Sequence, residues 1–177
     1  KEDIRHRIKA LILYLMIEKT TMKTIQYIKG DATHPHAEGN KIIAHICNDI
    51  GGWGKGFVTA ISKRWKQPEL KYREWFKNGE NFNLGEIQIV QTEEDIWVCN
   101  MIAQHKIITH SEVPPIRYDA VEECLLKLAH EAIQQKASVH MPRIGCGLAG
   151  GKWEEIEPII ERTLLAKNVE VYVYDFE

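Results

Sequence analysis

Short β-branched runs alternate with amphipathic segments through most of this chain, and that alternation restricts the fold more than any other feature. The runs at 24–28, 41–47, 86–92, 96–102, 138–141 and 169–174 are continuous or alternating in apolar character, the pattern of strands. Between them, 57–65, 68–77, 118–136 and 153–167 place apolar residues at helical spacing. Strands that alternate with helices predict a three-layer α/β/α domain. The runs at 41–47 and 138–141 are nearly all apolar or small, as central strands covered on both faces must be. A chain of 177 residues suffices for one full core and is short for two.

Both central strands run into glycine. The first loop, NDIGGWGKG at 48–56, precedes a helical pattern that opens at Phe57; the second, PRIGCGLAGG at 142–151, precedes WEEIEPII. In open α/β sheets ligands bind outside the carboxyl ends of the strands. Glycines let backbone N–H groups approach an anion, and the following helix N-terminus adds partial positive charge, so a phosphate or diphosphate is the natural guest. There is no GK[ST], and GGWGKG lacks the GxGxxG spacing, so neither a Walker loop nor a dinucleotide fingerprint is present. Read alone, the first loop fits a ligand cradle and a structural turn equally; two such junctions can grip a diphosphate from opposite sides. Pro158 is expected in the first turn of its helix, where a proline loses no hydrogen bond. At a third junction, KGDA at 29–32, Asp31 suits either a hydrogen bond to a ligand amine or hydroxyl, or an Asx turn.

Composition narrows the partners. With 23 basic and 25 acidic residues interspersed and a net charge of −2, the chain carries no basic stripe for nucleic acid, so an anionic ligand must be held locally. Cys47, Cys99, Cys124 and Cys146 are scattered, which suggests neither a zinc site nor a disulfide framework and fits a reducing, cytoplasmic setting. His34 and His36 lack a third ligand, so no metal is expected. The longest apolar run, 10–17, is far below a membrane span. Residues 1–21, ahead of Met22, read as a helical appendage, either packed on the domain or extraneous to it, and the domain itself as 22–177. Trp65, Trp75 and Trp97 read as packing residues. Trp53, alone among glycines, is expected to close over a sugar.

These three junctions, in this order and spacing, resemble the macrodomain family of ADP-ribose-binding modules. GDAT at 30–33, HICNDIGGWGKGF at 45–57 and MPRIGCGLAGGKWEEI at 141–156 carry the resemblance, which spans Met22 to Phe176. It implies a mixed, mainly parallel six-stranded sheet between helices, with ADP-ribose in a cleft at the strand ends and no cofactor. By that resemblance Asp31 binds the adenine amino group with the Ala32 N–H nearby. Gly145, Cys146, Gly147 and Leu148 wrap the diphosphate beside Ile144. Asn48 and the loop carrying Gly52, Trp53, Gly54 and Gly56 face the distal ribose, and Phe57 lines that end. Tyr174 and Phe176 are candidates for stacking near adenine, with core packing the alternative.

The HxCN entry and PRIGCGL look closest to the branch of terminal ADP-ribose protein glycohydrolases and ADP-ribose 1''-phosphate phosphatases. The glycohydrolases of that branch carry an aspartate after the GL of the second loop, where this chain has Ala149, and a lysine before the long helix, where it has MIAQHKI with Gln104 and Lys106. Chemistry at the distal ribose needs a group that positions or deprotonates water, or a nucleophile. Asn48, Asp49, Gln104 and His105 are the catalytic candidates. His45 reads as a core histidine, and His110 is a further polar residue of the segment. The reading is thus a monomeric domain that binds ADP-ribose, or an ADP-ribosylated macromolecule, and hydrolyses an ADP-ribose derivative; the alternative is a reader module without chemistry.

Overall fold

The computed structural model describes residues 2–20, 22–107 and 112–176. In chain order the elements are α1 (Glu2–Thr20), β1 (Gln26–Lys29), β2 (Asn40–Asn48), α2 (Phe57–Arg64), α3 (Gln67–Asn78), β3 (Ile87–Glu93), β4 (Ile96–Gln104), α4 (Tyr118–Gln135), β5 (Ala137–Pro142), α5 (Trp153–Thr163) and β6 (Val171–Asp175). The strands form one sheet in the order β1-β6-β5-β2-β4-β3. All neighbours are parallel except β3, which turns back tightly onto β4. This is the expected three-layer, mainly parallel architecture. Its parallel strands bring the ends of β1, β2, β4, β5 and β6 to one edge.

Strand periodicity divides the core. Along β2, Ile42 and Ala44 face one layer and Ile43 and Cys47 the other, since successive side chains alternate across a sheet. The larger layer packs α4 and α5 against β2, β4, β5 and β6. Val121, Cys124, Leu125 and Leu128 of α4 recur at helical spacing and are completely buried there. The smaller layer gathers Trp53, Val58, Ile61, Trp65 and Tyr72 from the first glycine loop, α2 and α3. Trp65 is buried as expected, while Trp75 and Trp97 are half-buried.

Two expectations need revision. The helical pattern at 153–167 divides: α5 stops at Thr163, and a 3₁₀ turn, Leu165–Lys167, follows before Asn168 reverses the chain with φ +61°. The Thr163 hydroxyl donates to the Ile159 carbonyl at 2.6 Å, and such back-bonding competes with continuation of a helix. Pro158 is inside α5 rather than in its first turn, so the helix forgoes one backbone bond. Its strong apolar face, with Ile156 and Ile160 at 0 % exposure, holds it in place regardless. The appendage forms the helix α1, whose Ile4, Ile8, Leu11, Ile12 and Leu15 are all more than half exposed. Among the described residues no helix is long and apolar enough to cross a membrane.

Two histidines inside the sheet couple stability to pH. His45 of β2 meets the Asn100 side-chain oxygen at 2.5 Å, and Asn100 in turn donates to Pro68 and Gln88. His140 of β5 bridges Ser138 and the Tyr174 hydroxyl at 2.8 and 2.7 Å and stacks on Tyr172. Burial pushes the His45 pKa down to about 4, against a rise from Asn100. Burial and then the positive charge of Lys41 push His140 down to about 3. Both are therefore neutral when folded, and below the ordinary value of 6.5 only the unfolded chain takes up their protons.

Stability should consequently fall as pH drops from about 6.5 toward 4, by roughly 3 kcal/mol per histidine at the acid end of that range, with the His140 contribution still falling toward pH 3. Urea midpoints measured across that range should decline, and His45→Gln should flatten the decline. Leu128→Ala should cost about 2–5 kcal/mol in the same assay at neutral pH, as cavity-forming substitutions in a packed core do.

Candidate functional site

The first glycine loop is organised by the residue that opens it. Asn48 is 8 % exposed; its side-chain oxygen accepts from Ile50 N–H at 3.1 Å and Gly52 N–H at 2.9 Å, while its amide donates to the Gly52 carbonyl at 2.8 Å. The Tyr72 hydroxyl from α3 lies 2.6 Å from the Asn48 carbonyl and 3.0 Å from its side-chain oxygen. The Asn48 carboxamide is thus engaged in holding the loop. Between β2 and β4 the register slips by one residue, so that Cys47 faces Ile102 but Asn48 faces Gln104. A bulge of this kind re-aims side chains at a strand end.

Asp49 ties this loop to the strap after β4. Its carboxylate accepts from Lys106 N–H at 2.7 Å and meets His105 Nδ1 at 2.7 Å, and its own N–H donates to the Gln104 carbonyl at 3.0 Å. The structure therefore joins two sequence candidates that are 56 positions apart. His105 is about two-fifths exposed. The Gln104 amide donates to the Lys106 carbonyl at 2.8 Å. His110 lies outside the described residues.

A cleft of about 670 Å³ opens between the two glycine loops, within the size range of small-molecule sites. Asn48, Gly52, Trp53, Gly54, Gly56 and Phe57 form one wall, and Ile144, Gly145, Gly147 and Leu148 form the other. The loops nearly meet overhead: Leu148 Cδ1 lies 3.6 Å from where a Cβ on Gly56 would stand. Gly145, at φ +71°, tolerates no side chain, because a Cβ there would sit 2.7 Å from Ile116 and 3.1 Å from Ile46 and Ile156. The N-terminus of α2, at Gly56 and Phe57, carries no side-chain cap and borders the cleft. Its orphan N–H groups thus suit an anion.

Several candidates fall outside these walls. Asp31 closes its own turn, accepting from the Thr33 N–H and hydroxyl at 2.8 Å each, with His34 beside it. Burial opposes its ionisation, but the Thr33 and His34 contacts outweigh that and hold the carboxyl below its usual range. The Asx-turn reading is realised, and neither Asp31 nor the buried Ala32 lines the cleft. Tyr174 is 2 % exposed and spends its hydroxyl on His140 and the His36 N–H, so core packing replaces stacking. Cys146 lies outside the lining, and burial raises its thiol pKa. Asp49 and His105 adjoin the cleft through their chain neighbours Asn48 and Gln104, which do line it.

Trp53 also departs from expectation. Its ring is 6 % exposed, packs on His45 and Tyr72 with centroids 5.3 Å away, and donates through Nε1 to Ser62 at 2.8 Å. It is a fixed wall rather than a closing flap, because the smaller core layer reaches into the glycine loop.

Sequence reasoning missed the cations. Lys55, Arg73 and Arg143 all line the cleft, and among the described residues no carboxylate does. Arg73 arrives from α3 and donates to the Gly51 and Trp53 carbonyls at 3.3 and 3.5 Å. Arg143 is clamped by both Asp175 oxygens at 2.6 and 2.9 Å and lies 5.1 Å from the Tyr27 and Trp153 rings. Its place in PRIG was a local signal; Arg73 had none. Among the described residues no three metal-ligating side chains converge.

Tyr72→Phe should destabilise the protein by about 1–3 kcal/mol in chemical denaturation, since it removes the buried hydrogen bond to the Asn48 carbonyl. An unchanged midpoint would remove Tyr72 as the loop's support.

No family model matches the chain. Among solved structures, a protein of unknown function from Bacteroides thetaiotaomicron is 60 % identical with a TM-score of 0.85, over 88 % of this chain and 99 % of that one. A macrodomain protein from Streptomyces coelicolor is 49 % identical with a TM-score of 0.77, over 85 % of this chain and 98 % of that one. Among curated proteins, mouse chromodomain-helicase-DNA-binding protein 1-like is 33 % identical over 92 % of this chain, which spans only 19 % of that protein's length. The ADP-ribose 1''-phosphate phosphatase of Candida albicans is 27 % identical over 77 % of this chain and 92 % of its own. Near-complete overlap with the Streptomyces protein at this identity, on the sheet and paired glycine loops described above, means that the chain belongs to the macrodomain family.

Proposed function

We propose that this protein binds ADP-ribose in the cleft and hydrolyses an ADP-ribose derivative at its distal end. One observation carries the binding reading: a cleft between two glycine loops at parallel strand ends, lined by three cations and no described carboxylate, with the uncapped N-terminus of α2 on its wall. Such a site suits a nucleoside diphosphate, whose charge is met by backbone N–H groups and local cations although the chain as a whole is slightly acidic. The similarity to an ADP-ribose 1''-phosphate phosphatase supports the same ligand. The free cysteines, three of them buried, suit a cytoplasmic setting.

For the chemistry, the Asp49–His105 pair is the best-placed proton carrier. Asp49 orients the imidazole through Nδ1, which leaves the other ring nitrogen to exchange a proton with water, and Gln104 beside it on the cleft wall can orient that water. The scissile bond would be the one at the distal anomeric carbon or its phosphate. Asn48 contributes by holding the loop. The absence of a described carboxylate from the lining, with Ala149 there instead, favours the second reading, a reader that binds without turnover.

Calorimetric titration with ADP-ribose should show one site. Arg73→Ala should weaken binding about tenfold, near 1.4 kcal/mol; no heat at millimolar ligand would overturn the reading. Release of ADP-ribose from modified peptide, or of phosphate from ADP-ribose 1''-phosphate, should fall at least about tenfold in His105→Ala. ADP-ribose affinity should remain unchanged in that variant. Binding without release from either substrate would establish the reader instead.

A further inference from the structure

The strap after β4 is described on two limbs, 104–107 and 112–117, and it touches both glycine loops. Gln104 and Ile116 form an antiparallel bridge. It is flanked by the His105 N–H donating to the Pro115 carbonyl at 2.8 Å and the Arg117 N–H donating to the Ala103 carbonyl at 2.9 Å. The second limb thus returns alongside the end of β4, and two features stiffen it. Pro114 and Pro115 fix their own φ, and the Arg117 guanidinium donates through Nη1 to the carbonyls of Pro114, Pro115 and Ile116 at 2.7, 3.2 and 3.0 Å.

Ile116 is where this limb meets the second glycine loop. Its N–H donates to the Ala149 carbonyl at 3.0 Å. Its side chain, 4 % exposed, lies 2.7 Å from where a Cβ on Gly145 would stand and 3.5 Å from where one on Gly151 would. Gly145 and Ala149 both line the cleft, so the loop rests on Ile116 at each of its ends. In a close-packed interior a displaced loop moves its neighbours, because there is no void to absorb the shift. On the first limb, the His105 N–H is held by Pro115, its imidazole by Asp49, and the Lys106 N–H by the same carboxylate. One unbroken path of contacts therefore runs from Gly145 through Ile116 and Pro115 to His105.

We propose that Ile116 is a positioning residue that places the His105 imidazole according to the state of the second glycine loop, so that a diphosphate seated on that loop sets the proton carrier at the distal end. This rests on the reading above, in which the cleft takes ADP-ribose and His105 exchanges the proton. Coupling of this kind needs a continuous physical link that both sites bias, and the bridge between Gln104 and Ile116 supplies it. The link enters through the His105 backbone, so removal of the imidazole leaves the second loop and its ligand undisturbed. Its consequence is discrimination by the anion: a distal group presented without its diphosphate meets an imidazole that has not been set.

ADP carries the diphosphate without the distal ribose, which makes it the probe. The ring-proton resonance of His105, identified by its loss in His105→Ala, should move when the protein is saturated with ADP and stay in place with adenosine. Ile116→Ala should remove most of that displacement, measured with the variant itself saturated, and Ile116→Val should give an intermediate one. Should thermal unfolding show that Ile116→Ala does not fold, Arg117→Gln, which frees the three carbonyls of the limb, should reduce the displacement in its place. A displacement that persists in full in the folded variants would mean that the diphosphate acts on His105 directly. That result would overturn the coupling, as would no displacement despite ADP binding, an equal displacement with adenosine, or calorimetric binding of ADP-ribose without binding of ADP. Failure of ADP-ribose itself to bind would overturn the reading beneath it.

Discussion

The parallel pairing of β2 with β5 on one side and β4 on the other is the constraint on which the rest of the structure depends. Parallel neighbours end at the same edge of a sheet, so the loops after β2 and β5 must face each other and the strap after β4 must lie alongside. Ile42, Ile43 and Ala44 make that pairing stable because they are covered on both faces. The cleft follows from this edge: two glycine loops converge, Leu148 approaches Gly56 across the top, and the uncapped N-terminus of α2 borders it.

The smaller core layer does a second task. Tyr72 and Trp53 are core residues by burial, yet they also touch the functional loop: one supports Asn48, the other lines the cleft. Packing energy is thereby transmitted to a loop whose own glycines supply none. The same coupling explains why an aromatic ring surrounded by glycines in sequence is a rigid partition in space.

Much of the fold was legible in the sequence. The six β-branched runs became six strands, and the four helical patterns of the domain became α2 to α5, with shifts of a residue or two at most ends. Periodicity reports burial, and burial is what these elements share. It failed where local hydrogen bonding competes, at Thr163, and it did not register that Pro158 falls inside α5. The glycine loops were legible for a related reason, since bare backbone at two strand ends has few uses.

What the sequence determined alone is the architecture and the place of the cleft: alternating elements, two buried central strands and a glycine loop after each. Only the tertiary structure decided which side chains occupy that place. It spent the polar groups of Asp31 on its own turn and of Tyr174 on His140, joined Asp49 to His105 across 56 positions, and carried Arg73 from α3 over the loop carbonyls. The physical reason is range. Periodicity and turn chemistry act over a few residues and can be read from neighbours, whereas the partner of a polar group is chosen by whichever segment the packed core brings within hydrogen-bond distance.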